Sequence, residues 1–96
     1  MSTALHESTI VSRAPNTAFR ELEGKMFIVG ATSSKLVMLN ETGTAVWGFL
    51  DRPLSLGEIA DRLVETFEVE RESALQDCRS FVEALASRQL LQIQQV

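Results

Sequence analysis

His6 and Cys78 are the single histidine and the single cysteine of the chain. They are the side chains best suited to bind a metal or to act as base and nucleophile. Both uses need partners at short spacing, and with these two in separate segments no metal-ligand spacing exists. Cys78 falls on the apolar stripe of a predicted helix. A thiol becomes reactive when it is exposed and has cations nearby, so a buried structural cysteine is expected here. Gly24 and Gly30 flank a strand pattern, and no G-x-x-x-x-G-K-[ST] phosphate loop occurs. The carboxylates fall mainly on helix faces opposite apolar stripes, in pairs such as Glu58 and Arg62 at i,i+4, which is how a solvated surface reads. Trp47, beside Val46 and Leu50, reads as a core anchor in preference to a ligand-stacking ring. With no catalytic constellation, function must come from a surface.

The elements that carry such a surface fit one small domain. The chain has 96 residues, 45% of them hydrophobic, which suits a packed core better than disorder. Its 9 basic and 13 acidic residues give a formal net charge of −4, the wrong sign for a protein whose affinity comes from phosphates. A lone cysteine suits a reducing compartment. No apolar run approaches the roughly 20 residues of a membrane span, and no secretion signal opens the chain. A cytoplasmic protein is the expectation.

Residues 1–17 read as a tail, either flexible or laying one short extended segment on the domain. The domain proper is expected over residues 18–96. Phe19 to Leu22 makes a first strand, Glu23-Gly24 a turn, Met26 to Val29 a second strand and Leu36 to Leu39 a third, with a loop over Gly30–Ser34. The apolar pairs suggest that both sheet faces are partly covered. A first helix should start at Asn40 or Thr42 and end before Pro53. Ser55 and Glu58 form a capping box for a second helix, with Leu54 and Ile59 at staple spacing. A third helix runs from about Arg71 to Ser87. Leu90, Leu91 and Ile93 close the chain as a short extended tail. The fold class is α+β: a three-stranded antiparallel meander followed by three helices, winged-helix-like.

Leu39, Asn40, Thr42 and Gly43 form an L-N-x-T-G segment with Trp47 after it. Ile59, Ala60 and Leu63 give an I-A-x-x-L helix. Asp77, Phe81 and Leu85 give a D-x-x-x-F-x-x-x-L helix, and Leu90 and Leu91 a leucine step. In this order the pieces resemble the PQQ biosynthesis protein D family over residues 18 to 91. The resemblance implies a peptide-binding domain without activity or cofactor of its own. Such a domain takes the leader of a ribosomally made precursor peptide and presents it to a modifying enzyme. In the founding pathway that enzyme is a radical S-adenosylmethionine iron–sulfur protein, and the product is pyrroloquinoline quinone.

By resemblance, the receiving edge is the third strand, Lys35, Leu36, Val37, Met38 and Leu39, and the wall is the first half of the third helix. Ala74, Leu75 and Cys78 are the expected apolar wall, and Arg71 and Arg79 the rim. An extended guest adding to an unpaired strand edge gains backbone hydrogen bonds, and pockets for alternate side chains supply preference. Alternation leaves open whether Leu36 and Met38 or Val37 and Leu39 face the groove. Two other classes fit the elements: a winged-helix DNA-binding regulator, and an adaptor that pairs with itself through the open edge. The charges of the third helix (Glu70, Arg71, Glu72, Asp77, Arg79) argue against nucleic acid.

Overall fold

The computed structural model describes residues 5–30 and 35–94. Strands β2 (Ala18–Leu22), β3 (Lys25–Val29) and β4 (Leu36–Leu39) form the expected antiparallel meander, in the order β2-β3-β4. Three helices follow: α1 (Glu41–Phe49), α2 (Leu56–Phe67) and α3 (Arg71–Ser87). Of the loop expected at 30–34, all but Gly30 lies outside the described residues.

A second sheet accompanies the meander. Strand β1 (Ile10–Arg13) lies between β5 (Leu54–Ser55) and β6 (Leu91–Gln94), antiparallel to both. Within the first seventeen residues, Ile10–Arg13 is extended as β1. Leu5, Thr9 and Val11, which a boundary at residue 18 leaves in the tail, are buried. Leu91 and Ile93 take part in this sheet within β6, and Leu90 comes just before it.

Local chemistry explains the β2–β3 turn, the starts of α1 and α2, and the end of α2. Glu23 and Gly24 have φ of 52° and 80°, and a two-residue loop with both φ positive matches the strand twist of a hairpin. Asn40 caps α1, its Oδ1 accepting from the Gly43 N–H at 2.8 Å. The capping box of α2 is formed on both sides: Ser55 Oγ accepts from the Glu58 N–H at 3.1 Å, and Glu58 Oε1 accepts from the Ser55 N–H at 2.9 Å. These bonds to Ser55 hold the Glu58 carboxyl below its usual range. Glu68, left-handed at φ 54°, ends α2.

The core lies between the meander and the helices. Trp47 is fully buried, with Phe19 edge-on at 5.5 Å between ring centroids. Arg13 stacks over both rings and donates from Nη2 and Nε to the Trp47 carbonyl at 2.6 and 3.2 Å. Among the described residues the Trp47 indole N–H has no acceptor. An unpaired buried donor costs about 1–3 kcal/mol. Burying some 200 Å² of ring returns about 5 kcal/mol, so the ring remains a net anchor.

Candidate functional site

Strand β4 pairs with β3 on one side, and among the described residues no strand pairs with its other side. Ile10–Arg13 does not fill that side, because β1 is held in the other sheet by β5 and β6.

The hairpin turn sets which backbone groups point outward. Leu22 and Lys25 close the two-residue loop and form a hydrogen-bonded pair. Alternation then turns the N–H and C=O of Met26 and Ile28 towards β4, where they face Leu39 and Val37. The Met26 N–H does point that way: it donates to Thr44 Oγ1 at 2.9 Å, and the Thr44 hydroxyl donates to the Leu39 carbonyl at 3.3 Å. Val37 therefore spends its N–H on β3. Leu36 and Met38 direct theirs to the open side.

Side chains alternate in the same register. Val37 and Leu39 turn towards the core, Leu39 being buried. Leu36 and Met38, 61% and 57% exposed, stand on the outer face with Leu22 and Phe27. The inward set is thus Val37 and Leu39, and of these Val37 lines a hollow. The outer face carries its own hollow, lined by Leu22, Glu23, Lys25, Phe27 and Met38.

Alongside β4 runs one stripe of α3. A hollow of about 280 Å³ is lined by Lys35, Val37, Arg88 and Leu90. Another, of about 380 Å³, is lined by Asn40, Thr42, Gly43, Asp77, Ser80 and Phe81. Asp77, Ser80, Phe81, Ala84 and Arg88 recur at three- and four-residue steps and so share a helix face. Gly43 makes the close approach possible. A Cβ there would sit 3.1 Å from Phe81 Cε1 and 3.2 Å from Leu39 Cβ. The L-N-x-T-G segment is thus a junction: Leu39 ends the strand in the core, Asn40 caps α1, and Gly43 admits Phe81.

The expected wall residues of α3 lie on its other faces. Ala74 and Cys78 are fully buried in the core. Leu75 is half-buried and packs against the same core. Arg71 donates from Nε to Asp61 at 2.8 Å and from Nη2 to Glu7 at 2.6 Å. The Arg71 hydrogen bond holds the Glu7 carboxyl below its usual range. Arg79 donates to the Leu5 carbonyl at 3.3 Å. The structure thus brings Lys35 and Val37 together with Arg88 and Leu90, and places Arg71 and Arg79 against the N-terminal segment. Sequence reasoning did not single out Gly43, Ser80, Arg88 or Leu90 as lining residues. The signal was the eleven-residue step from Asp77 to Arg88, three turns of helix along one stripe.

Burial, then the charge of Asp77, pushes the Cys78 thiol up to about 12. Among the described residues no three His, Cys, Asp or Glu side chains converge to hold a metal ion. No helix among them is long and apolar enough to cross a membrane.

The family model for coenzyme PQQ synthesis protein D matches residues 24–91. Among solved structures, TbiB1 in complex with the TbiA(beta) leader peptide is similar at 21% identity and a TM-score of 0.78, over 84% of this chain and 94% of that one. The PqqD truncation of Methylobacterium extorquens PqqCD, a stand-alone recognition element for ribosomally synthesized and post-translationally modified peptides, is similar at 20% identity and a TM-score of 0.78. That match covers 94% of this chain and 96% of that one. Lasso peptide synthetase B1 complexed with the leader peptide is similar at 23% identity and a TM-score of 0.73, over 85% and 96%. At these identities the likeness establishes a shared fold. No curated protein matches the chain in sequence.

Proposed function

We propose, for a chain that belongs to the coenzyme PQQ synthesis protein D family, that it is a non-catalytic chaperone for a precursor peptide. The leader of that peptide adds to the open side of β4 as an extra strand, antiparallel or parallel. The Leu36 and Met38 backbone groups bond it, and alternate leader side chains enter the groove lined by Val37, Phe81 and Leu90. The observation that carries this reading is the side of β4 that no strand among the described residues pairs with, set beside the Asp77–Arg88 stripe. Two of the similar solved structures hold leader peptides by their printed descriptions, which supports the same use here.

The captured peptide goes to a modifying enzyme in the cytoplasm, by family resemblance a radical S-adenosylmethionine protein. The iron–sulfur chemistry belongs to that enzyme, since one buried thiol cannot hold a cluster. When no peptide is present, a second copy can pair through the same edge, so dimerisation and capture compete. Sedimentation with and without peptide reads this competition.

Titration of the isotope-labelled protein with leader peptides encoded beside its gene tests the assignment. The amides of Leu36 and Met38 and the Asp77–Phe81 turn should shift. Binding that leaves all of them unmoved would refute the β4 edge.

A further inference from the structure

The groove is not electrically uniform. Lys35 and Arg88 line the hollow at one end, together with the apolar Val37 and Leu90. Asp77 lines the hollow at the other end. Asp77 and Arg88 are eleven residues apart on α3, a rise of about 16 Å with a rotation of only about 20° between them, so the two charges stand on one stripe. Lys35 to Leu39 spans about 13 Å of nearly extended chain. Helix stripe and strand edge are therefore matched in length, cationic at one end and anionic at the other.

The neighbouring helix ends do not cancel this difference. Arg88 caps the C-terminus of α3, whose partial negative charge, about half a unit, is smaller than the unit charge of the Arg88 guanidinium alone. The N-terminus of α1, near Asp77, is already capped by Asn40 and carries Glu41 in its first turn. The chain as a whole bears −4 and repels anions, so attraction for a carboxylate is a local property of this end.

Building on the peptide-capture reading, we propose that the groove selects a leader segment by a single acidic side chain. That Asp or Glu sits between Lys35 and Arg88, over the apolar floor of Val37 and Leu90. An apolar side chain a few residues away rests on Phe81. Asp77 repels an acid placed at the wrong end, so register and direction are set by attraction at one end and repulsion at the other.

The test uses the full chain and short labelled peptides with a Thr/Val core. They are identical except for one Glu, Gln or Lys placed towards the N-terminal or the C-terminal end. Anisotropy at low salt gives affinity, and the Leu36 and Met38 amide shifts report edge binding. The proposal expects Glu at one of the two ends to bind about fivefold tighter than Gln there, and Lys weaker still. Arg88→Glu and Lys35→Glu should each erase or reverse that order. Equal affinity for Glu, Gln and Lys at both ends, with the edge amides shifting, would overturn this inference and leave strand capture standing. A Glu preference that survives both charge reversals would also overturn it. Failure of every peptide to move the edge amides would overturn strand capture itself.

Discussion

The Thr44 hydroxyl sits inside the last rung between β3 and β4, 2.9 Å from the Met26 nitrogen and 3.3 Å from the Leu39 carbonyl oxygen. One residue of α1 thereby ties the end of the open strand to its neighbour and to the helix. Thr44→Val keeps the shape and removes the hydroxyl, leaving a buried donor and acceptor to re-pair poorly. Urea denaturation should show a loss of about 1–3 kcal/mol. Amide exchange should rise first at Met26 and Leu39, and no loss of stability would deny the hydroxyl its place in the rung.

Proline substitution separates the two edges of β4. Met38→Pro removes a donor that points to the open side, a position where an edge strand tolerates proline. The variant should stay folded by circular dichroism and lose most of its peptide affinity. Val37→Pro removes the donor that faces Ile28 and should cost about 1–3 kcal/mol in stability for the carbonyl left unpaired in the ladder. The opposite ranking would mean the ladder is shifted by one residue.

Arg71 holds the N-terminal segment to the helices through Glu7 and Asp61. Because Glu7 titrates lower in the folded chain than in the unfolded one, its contribution is present in full above the unfolded carboxylate range. It fades as the pH falls through the lowered folded value. Arg71→Ala should flatten that acid-side dependence and speed amide exchange in β1, with little change in overall stability at neutral pH, since the pair is solvent-exposed. A pH profile identical to the wild type would exclude this link.

Cys78 should be inert in the folded chain. With its titration raised to about 12, only about one thiol in ten thousand is ionised at pH 8, and burial blocks access to the rest. An aromatic disulfide reagent should react stoichiometrically in guanidinium and only at the rate of opening without it. Fast native labelling would show α3 to be detached from the core.

Much of this architecture was legible in the residues. The Ser55–Glu58 box, the Asn40 cap and the Glu23-Gly24 turn each rest on contacts within four residues, and each formed as expected. The second sheet rests on distant partners. Val11 meets Ile93 and Leu54, and no local pattern announces such pairings. Of the two residues of β5, Ser55 also caps α2 and Leu54 stands at staple spacing, so their strand role was masked by a stronger helix signal. Periodicity likewise divided α3 into faces but could not say which face meets which neighbour. Ala74 and Cys78 fit an apolar wall as well as they fit the core that holds them. Only packing, through Gly43 against Phe81, shows which stripe lies beside β4.

The alternation that sends Leu36 and Met38 to the outside has a further result. A guest lying along β4 would widen the sheet by one ribbon, and every second guest residue would come to rest in the same row as those two side chains. Cargo and carrier would then present a single tiled surface.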